Sequence, residues 1–359
     1  MKKIGMLTSG GDCQGLNPTI RGVAKGLYTA FNSDVEIYGF QSGYKGLIEG
    51  QYKVMKPSDF SGILTLGGTI LGTSRQPFKA MRVADENNVD KLQLMVDNYK
   101  KMKLDGLVVM GGNGTHKSAN MLSEAGLNII GLPKTIDNDI FGTDITFGFQ
   151  SAVDIATDVI DRIHSTATSH GRIFIVELMG NKAGFLTLHA GMAGGADIIL
   201  IPEIPYDPKV VADALKHREE KGKAFSIIVV AEGAISKEEA AMPKKAFKEY
   251  RASFPACCTA GFRLAQQLEE LTPFEVRVTV PGHYQRGGSP CAFDRVLCTK
   301  LGAQAATYIK ENRFGVMVGI KNQKLVPVPL KNVAGVNKRV ELDDPLIMAG
   351  KAIEVSFGV

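Results

Sequence analysis

Cysteine is scarce and unpatterned: five residues, Cys13, Cys257, Cys258, Cys291 and Cys298, with no C-x-x-C spacing among them. That excludes the common zinc and redox-pair motifs and gives structural disulfides no support. No stretch approaches the ~20 apolar residues of a membrane span, so membrane insertion is excluded. No dense Lys/Arg tract marks a nucleic-acid arm. The 42 basic side chains exceed the 37 acidic ones by five, a mild surplus that suits small anionic ligands. The opening MKKIGMLTSGGD passes from two lysines into a strand and a glycine turn, without the apolar core of a secretory signal. A cytoplasmic enzyme is the expectation. What is present is ordinary for a globular protein: 44% hydrophobic and 22% charged residues in a chain of 359, enough for about two domains.

The 40 glycines fall at the ends of short apolar runs more often than inside them, where strands must turn into helices. Strand-like runs stand at 4–8, 35–40, 106–110, 129–132, 173–178, 198–202, 227–231 and 276–280. Helical patterns lie between many of them. The clearest is 149–166, where Val153, Ala156, Ile160 and Ile163 make one apolar stripe. Such alternation predicts an α/β protein with mainly parallel sheets, whose ligand sites lie beyond the carboxyl ends of the strands.

Three loops there carry chemistry. Ser9-Gly10-Gly11-Asp12 through Pro18 follows the first strand and opens a helix, and Gly111-Gly112-Asn113-Gly114-Thr115 does the same after 106–110. Glycines let backbone amides approach an oxyanion at a helix N-terminus, and two such loops suggest a polyphosphate or nucleotide. Next, Lys134, Thr135, Asp137 and Asp139 share one short loop. Carboxylates two apart can divide the work, one accepting a hydroxyl proton and the other helping to hold Mg²⁺.

SGGDCQGLN, GGNGT, PKTIDND, the Met179-Gly180 turn with Ala183-Gly184, GGADIILIPEIPYD and PGHYQRGGSP together resemble the 6-phosphofructokinase family, in the same order and over essentially the whole chain. The resemblance implies two similar Rossmann-like three-layer domains with an active-site cleft between them. A phosphoryl-donor domain takes 1–147 plus 285–334, and a fructose 6-phosphate domain takes 148–284 plus 335–359. Asp137 would be the base for the sugar C1 hydroxyl, with Thr135 and Asp139 positioning substrate and metal. Arg172, Met179, Gly180, Glu232, Arg277, His283 and Arg286 match the sugar-phosphate positions. Gly11, Tyr44, Arg75, Gly112, Asn113, Gly114 and Thr115 match the donor side, Tyr44 as a purine contact. Mg²⁺ would be held near Asn113 and Asp139. The family implies a homodimer or homotetramer, with Arg172 and Arg277 supplied across subunits, and Arg21 and Lys25 resemble effector positions of some bacterial members.

The chain departs from the family pattern at Asn113, where many members carry aspartate, and at Asn181, where many carry arginine. Lys134 is the candidate for the compensating charge. Lysine in this loop accompanies pyrophosphate use in the family, whereas Gly114 leaves room for a nucleoside. ATP is therefore the first reading of the donor. Pyrophosphate, or a weakly catalytic regulatory subunit, are the alternatives.

Overall fold

A computed structural model of the chain describes residues 1–81, 90–255 and 257–359. The described residues form eleven strands in chain order: β1 (Lys2–Thr8), β2 (Val35–Phe40), β3 (Tyr52–Met55), β4 (Gly106–Gly111), β5 (Ile129–Pro133), β6 (Ile173–Leu178), β7 (Ile198–Leu200), β8 (Ser226–Ala231), β9 (Val276–Thr279), β10 (Val316–Lys321) and β11 (Lys324–Pro329). The chain divides into two compact units, Met1–Ser151 with Arg286–Lys338, and Ala152–Gln285 with Arg339–Val359. It passes between them three times.

Unit 1 is built on a seven-stranded sheet in the order β11-β10-β5-β4-β1-β2-β3. The strands from β10 to β2 pair in parallel, while β3 and β11 add antiparallel edges. The inner strands β4 and β5 are buried throughout, as parallel strands covered on both faces must be. Helices Leu16–Ala30 and Ala292–Lys310 pack closely through small residues: a Cβ added at Gly302 would fall 2.7 Å from the carbonyl carbon of Gly22. That packing fixes the helix entered from the β1 loop.

Unit 2 holds a four-stranded, wholly parallel sheet in the order β7-β8-β6-β9. Its apolar core joins Ile175, Ile228 and Val230 of the strands to Leu215, Leu264 and Leu268 of two helices. The expected α/β class with mainly parallel sheets is what the chain adopts. The sequence pattern missed β3, β10 and β11. No helix among the described residues is long and apolar enough to cross a membrane.

Candidate active site

In unit 1, β1 and β4 are neighbours although β2 and β3 separate them in sequence, so the strand order reverses between them. Open α/β sheets bind ligands beyond the carboxyl ends of the strands at such a reversal. Both glycine loops stand there. The loop after β4 turns at Gly112 into helix Asn113–Glu124, so Asn113, Gly114 and Thr115 form its first turn and their amides have no partner within the helix. Among the described residues, a Cβ built at Gly114 meets nothing within 4 Å. One built at Gly11 would lie 3.2 Å from Arg286 Nη1 and 3.6 Å from Arg75 Nη2, which places both cations against the first loop. Arg286 Nη1 also donates to the Asp12 carbonyl at 2.9 Å. Arg286, expected among the sugar-phosphate residues, falls in unit 1 beside the first glycine loop.

Tyr44 requires a correction. It is 1% exposed, and its ring packs with Leu47, Val109 and Leu122 in the core of unit 1. Its hydroxyl donates to the Thr115 carbonyl at 2.9 Å. A buried ring offers no face to a purine, so Tyr44 supports the glycine turn from beneath. His116 does likewise. Its Nδ1 lies 3.0 Å from the Gly112 carbonyl, which can only accept, so this nitrogen carries the proton. Burial, with Lys134 nearby, pushes its pKa down to about 4, so the ring is neutral. Lys134 is 3% exposed and donates its ammonium to the Gly11 carbonyl, tying the loop after β5 to the first glycine loop. Burial lowers its pKa, and Arg286 adds to that effect.

The loop after β5 turns on Asn138, whose φ of 50° is left-handed, a conformation Asn tolerates better than most residues. Its Oδ1 accepts from Thr146 N at 3.0 Å, and its Nδ2 donates to the Asp144 carbonyl at 3.3 Å. Thr135 Oγ1 accepts from Asp137 N at 3.0 Å. The carboxylates of Asp137 and Asp139 are thereby carried on one braced turn. Asn113 Nδ2 donates to Asp139 Oδ2 at 2.8 Å and to the Asp139 carbonyl at 3.1 Å, while Asn113 Oδ1 is buried with no hydrogen-bond partner among the described residues. Burial raises the Asp139 carboxyl, and the Asn113 hydrogen bond works against that rise. A carboxylate beside an unsatisfied amide oxygen is a hard oxygen donor set that suits Mg²⁺. No cluster of three or more acidic, His or Cys ligands occurs among the described residues, so such a metal would draw its remaining ligands from phosphates and water.

In unit 2 the candidate residues fall at two ends of the sheet. Beyond the carboxyl ends of β6 and β8, Glu232 accepts from Gly180 N at 3.3 Å and Asn181 N at 2.8 Å. Gly180 takes a φ of 145°, and a Cβ there would meet the Ala183 carbonyl at 2.7 Å, so only glycine fits. Met179 N donates to Gln285 Oε1 at 3.3 Å, and His283 is exposed on the same short turn, Gly282–Arg286. Gln285, fully buried, is a residue the sequence reading missed, since nothing in its motif separates it from its neighbours. At the amino end, Arg172 precedes β6 and Arg277 is the second residue of β9. Both hold Glu275, Arg172 Nε at 2.5 Å from one carboxylate oxygen and Arg277 Nη2 on the other. At ~3.3 Å per residue, β6 separates Arg172 from Met179 by about 20 Å. Those two arginines therefore do not gather with Met179, Gly180 and Glu232 within one unit 2.

The phosphofructokinase family model matches residues 3–309. An ATP-dependent 6-phosphofructokinase of Spirochaeta thermophila is 52% identical over 362 residues, covering 99% of this chain and 98% of its own. One of Propionibacterium freudenreichii subsp. shermanii is 47% identical over 372 residues, covering 99% of both. Among solved structures, Pichia pastoris phosphofructokinase in the T-state is similar with a TM-score of 0.80 at 32% identity. That match covers 92% of this chain and 35% of the longer yeast one. With glycine loops at the reversal point of unit 1 and relatives similar over nearly the full length, the chain belongs to the phosphofructokinase family.

Proposed function

We propose that this chain is an ATP-dependent 6-phosphofructokinase, transferring the γ-phosphoryl group of ATP to the C1 hydroxyl of fructose 6-phosphate to give fructose 1,6-bisphosphate. The observation that carries the choice of donor is the open space at Gly114, on the first turn of a helix whose amides face outward. A donor with an α-phosphate and a nucleoside needs that space, and the relatives named above are ATP-dependent enzymes.

In this reading unit 1 holds ATP through loops 9–17 and 111–115, with Arg75 and Arg286 beside the first. Unit 2 holds the sugar phosphate through Met179, Gly180, Glu232 and His283. Asp137 accepts the proton of the C1 hydroxyl, and Thr135 fixes the backbone amide of that residue. Asp139 and Asn113 Oδ1 would hold Mg²⁺, which when bound neutralises charge on the donor phosphates. Lys134, fastened to the Gly11 carbonyl, supplies the fixed positive charge that Asn113 and Asn181 do not. The distance of Arg172 and Arg277 from Met179 supports a homo-oligomer in which these two arginines complete the site of a second copy. A cytoplasmic location follows from the substrates. The test is a coupled assay of purified protein with fructose 6-phosphate and either ATP or pyrophosphate. ATP turnover is the expected result. Turnover with pyrophosphate alone supports the other donor, and fructose 6-phosphate binding without turnover supports the regulatory-subunit reading.

A further inference from the structure

The turn carrying Asp137 and Asp139 is held from outside by a segment far away in sequence. Ile140 forms an antiparallel bridge with Asn337, and Lys338 N donates to the Asp139 carbonyl at 2.8 Å. The Lys338 ammonium then donates to the Thr143 carbonyl at 3.0 Å and the Asp144 carbonyl at 2.9 Å. The Asp144 carbonyl is also the acceptor for Asn138 Nδ2, so the lysine and the left-handed residue between the two aspartates meet on one oxygen. Asp144 is itself pinned, its Oδ2 accepting from Asn322 N at 2.7 Å. Thr143 Oγ1 accepts from Ile320 N at 3.0 Å.

We propose that Lys338 is a positioning residue for phosphoryl transfer, a charged peg that fixes the far side of the loop so that Asp137 and Asp139 keep one arrangement. The proposal rests on the phosphofructokinase reading. A half-buried ammonium that satisfies two carbonyls is hard to replace: without it those oxygens lose a charge-assisted bond, and the Asp144 carbonyl that accepts from Asn138 is held less firmly. The loop is then loosened where its carboxylates must be held to within a fraction of an ångström. A misplacement of about 1 Å costs on the order of 10²-fold in rate.

The test compares wild type, Lys338→Met and Lys338→Arg in steady-state kinetics with ATP and fructose 6-phosphate, alongside thermal melting and calorimetric binding of fructose 6-phosphate. Methionine matches the length of the lysine stem and keeps the backbone bond to Asp139, so it removes only the ammonium. The expected result is a fall in kcat of about 10²-fold, with sugar-phosphate affinity within about twofold and at least a tenth of the activity restored by arginine. Should Lys338→Met fail to fold, Lys338→Gln is the deciding variant, with an expected loss in kcat of about tenfold. Normal kcat in a folded Met or Gln variant overturns the proposal. So does a loss matched by an equal fall in sugar-phosphate affinity, the mark of general structural damage. An inactive wild type in the same assay overturns the functional reading and this proposal with it, whereas an active wild type with a fully active variant overturns this proposal alone.

Discussion

His116 makes the glycine turn after β4 sensitive to acid, and the size of the effect follows from its surroundings. The imidazole is fully buried, donates through Nδ1 to Gly112, and leaves Nε2 with no hydrogen-bond partner among the described residues. A proton added at Nε2 would place a cation with an unused donor in an apolar site already near Lys134. The folded pKa of about 4 against an ordinary 6.5 means that the unfolded chain binds more protons between these values. Stability from this residue is therefore complete above about pH 6.5 and is lost as the pH falls toward 4. At 1.36 kcal/mol per unit, the difference of about 2.5 units corresponds to roughly 3 kcal/mol in full, of which about 2 kcal/mol is lost by about pH 5. Buried carboxyls such as Asp139 and Glu177, raised by burial, act with the opposite sign, so the contribution of His116 must be read as a difference. The perturbation is His116→Asn, whose amide nitrogen can stand where Nδ1 stood and donate to Gly112 without titrating. Urea unfolding followed at about pH 7.5 and about pH 5 should show the wild type losing about 2 kcal/mol more than the variant. Equal losses in the two proteins would falsify the claim that a buried neutral imidazole supports the loop.

Three further outcomes are expected. Asp137→Ser should lower kcat by at least ~10²-fold, the low end for a positioned general base, with fructose 6-phosphate binding little changed; near-normal turnover removes Asp137 from that role. Gly114→Asp sets a carboxylate in the open space above the helix turn, so ATP turnover should collapse while pyrophosphate, if used at all, is spared; unchanged ATP kinetics would mean that the nucleotide does not pass this turn. Arg277→Ala should weaken fructose 6-phosphate binding by about 1.5–3 kcal/mol, the range for a hydrogen bond to a charged group. Mixed oligomers of the Arg277→Ala and Asp137→Ser chains should then recover part of the lost activity. Failure to complement would show that the arginine serves its own subunit.

Parallel strands and the glycine turns after them were legible in the sequence, because a buried parallel strand is an unbroken apolar run and its turn to a helix needs glycine or a cap. The edges were not. β3 exposes three of its four residues, and β11 carries prolines at two positions, so neither shows the pattern of a buried strand. Tyr44 shows the limits of a motif: the residue type matches an expected role, and tertiary packing sends its ring into the core of unit 1. Lys338 had no local signal at all. It stands 195 residues from Thr143, and only the fold brings the two together.

The central claim is that this chain moves a phosphoryl group from ATP to fructose 6-phosphate, and the most direct measurement is the initial rate of fructose 1,6-bisphosphate formation with ATP and with pyrophosphate as alternative donors. The clear space at Gly114 leaves room for a nucleoside triphosphate, and turnover with ATP is the predicted result. Formation of the bisphosphate with pyrophosphate alone, or no bisphosphate with either donor, contradicts it.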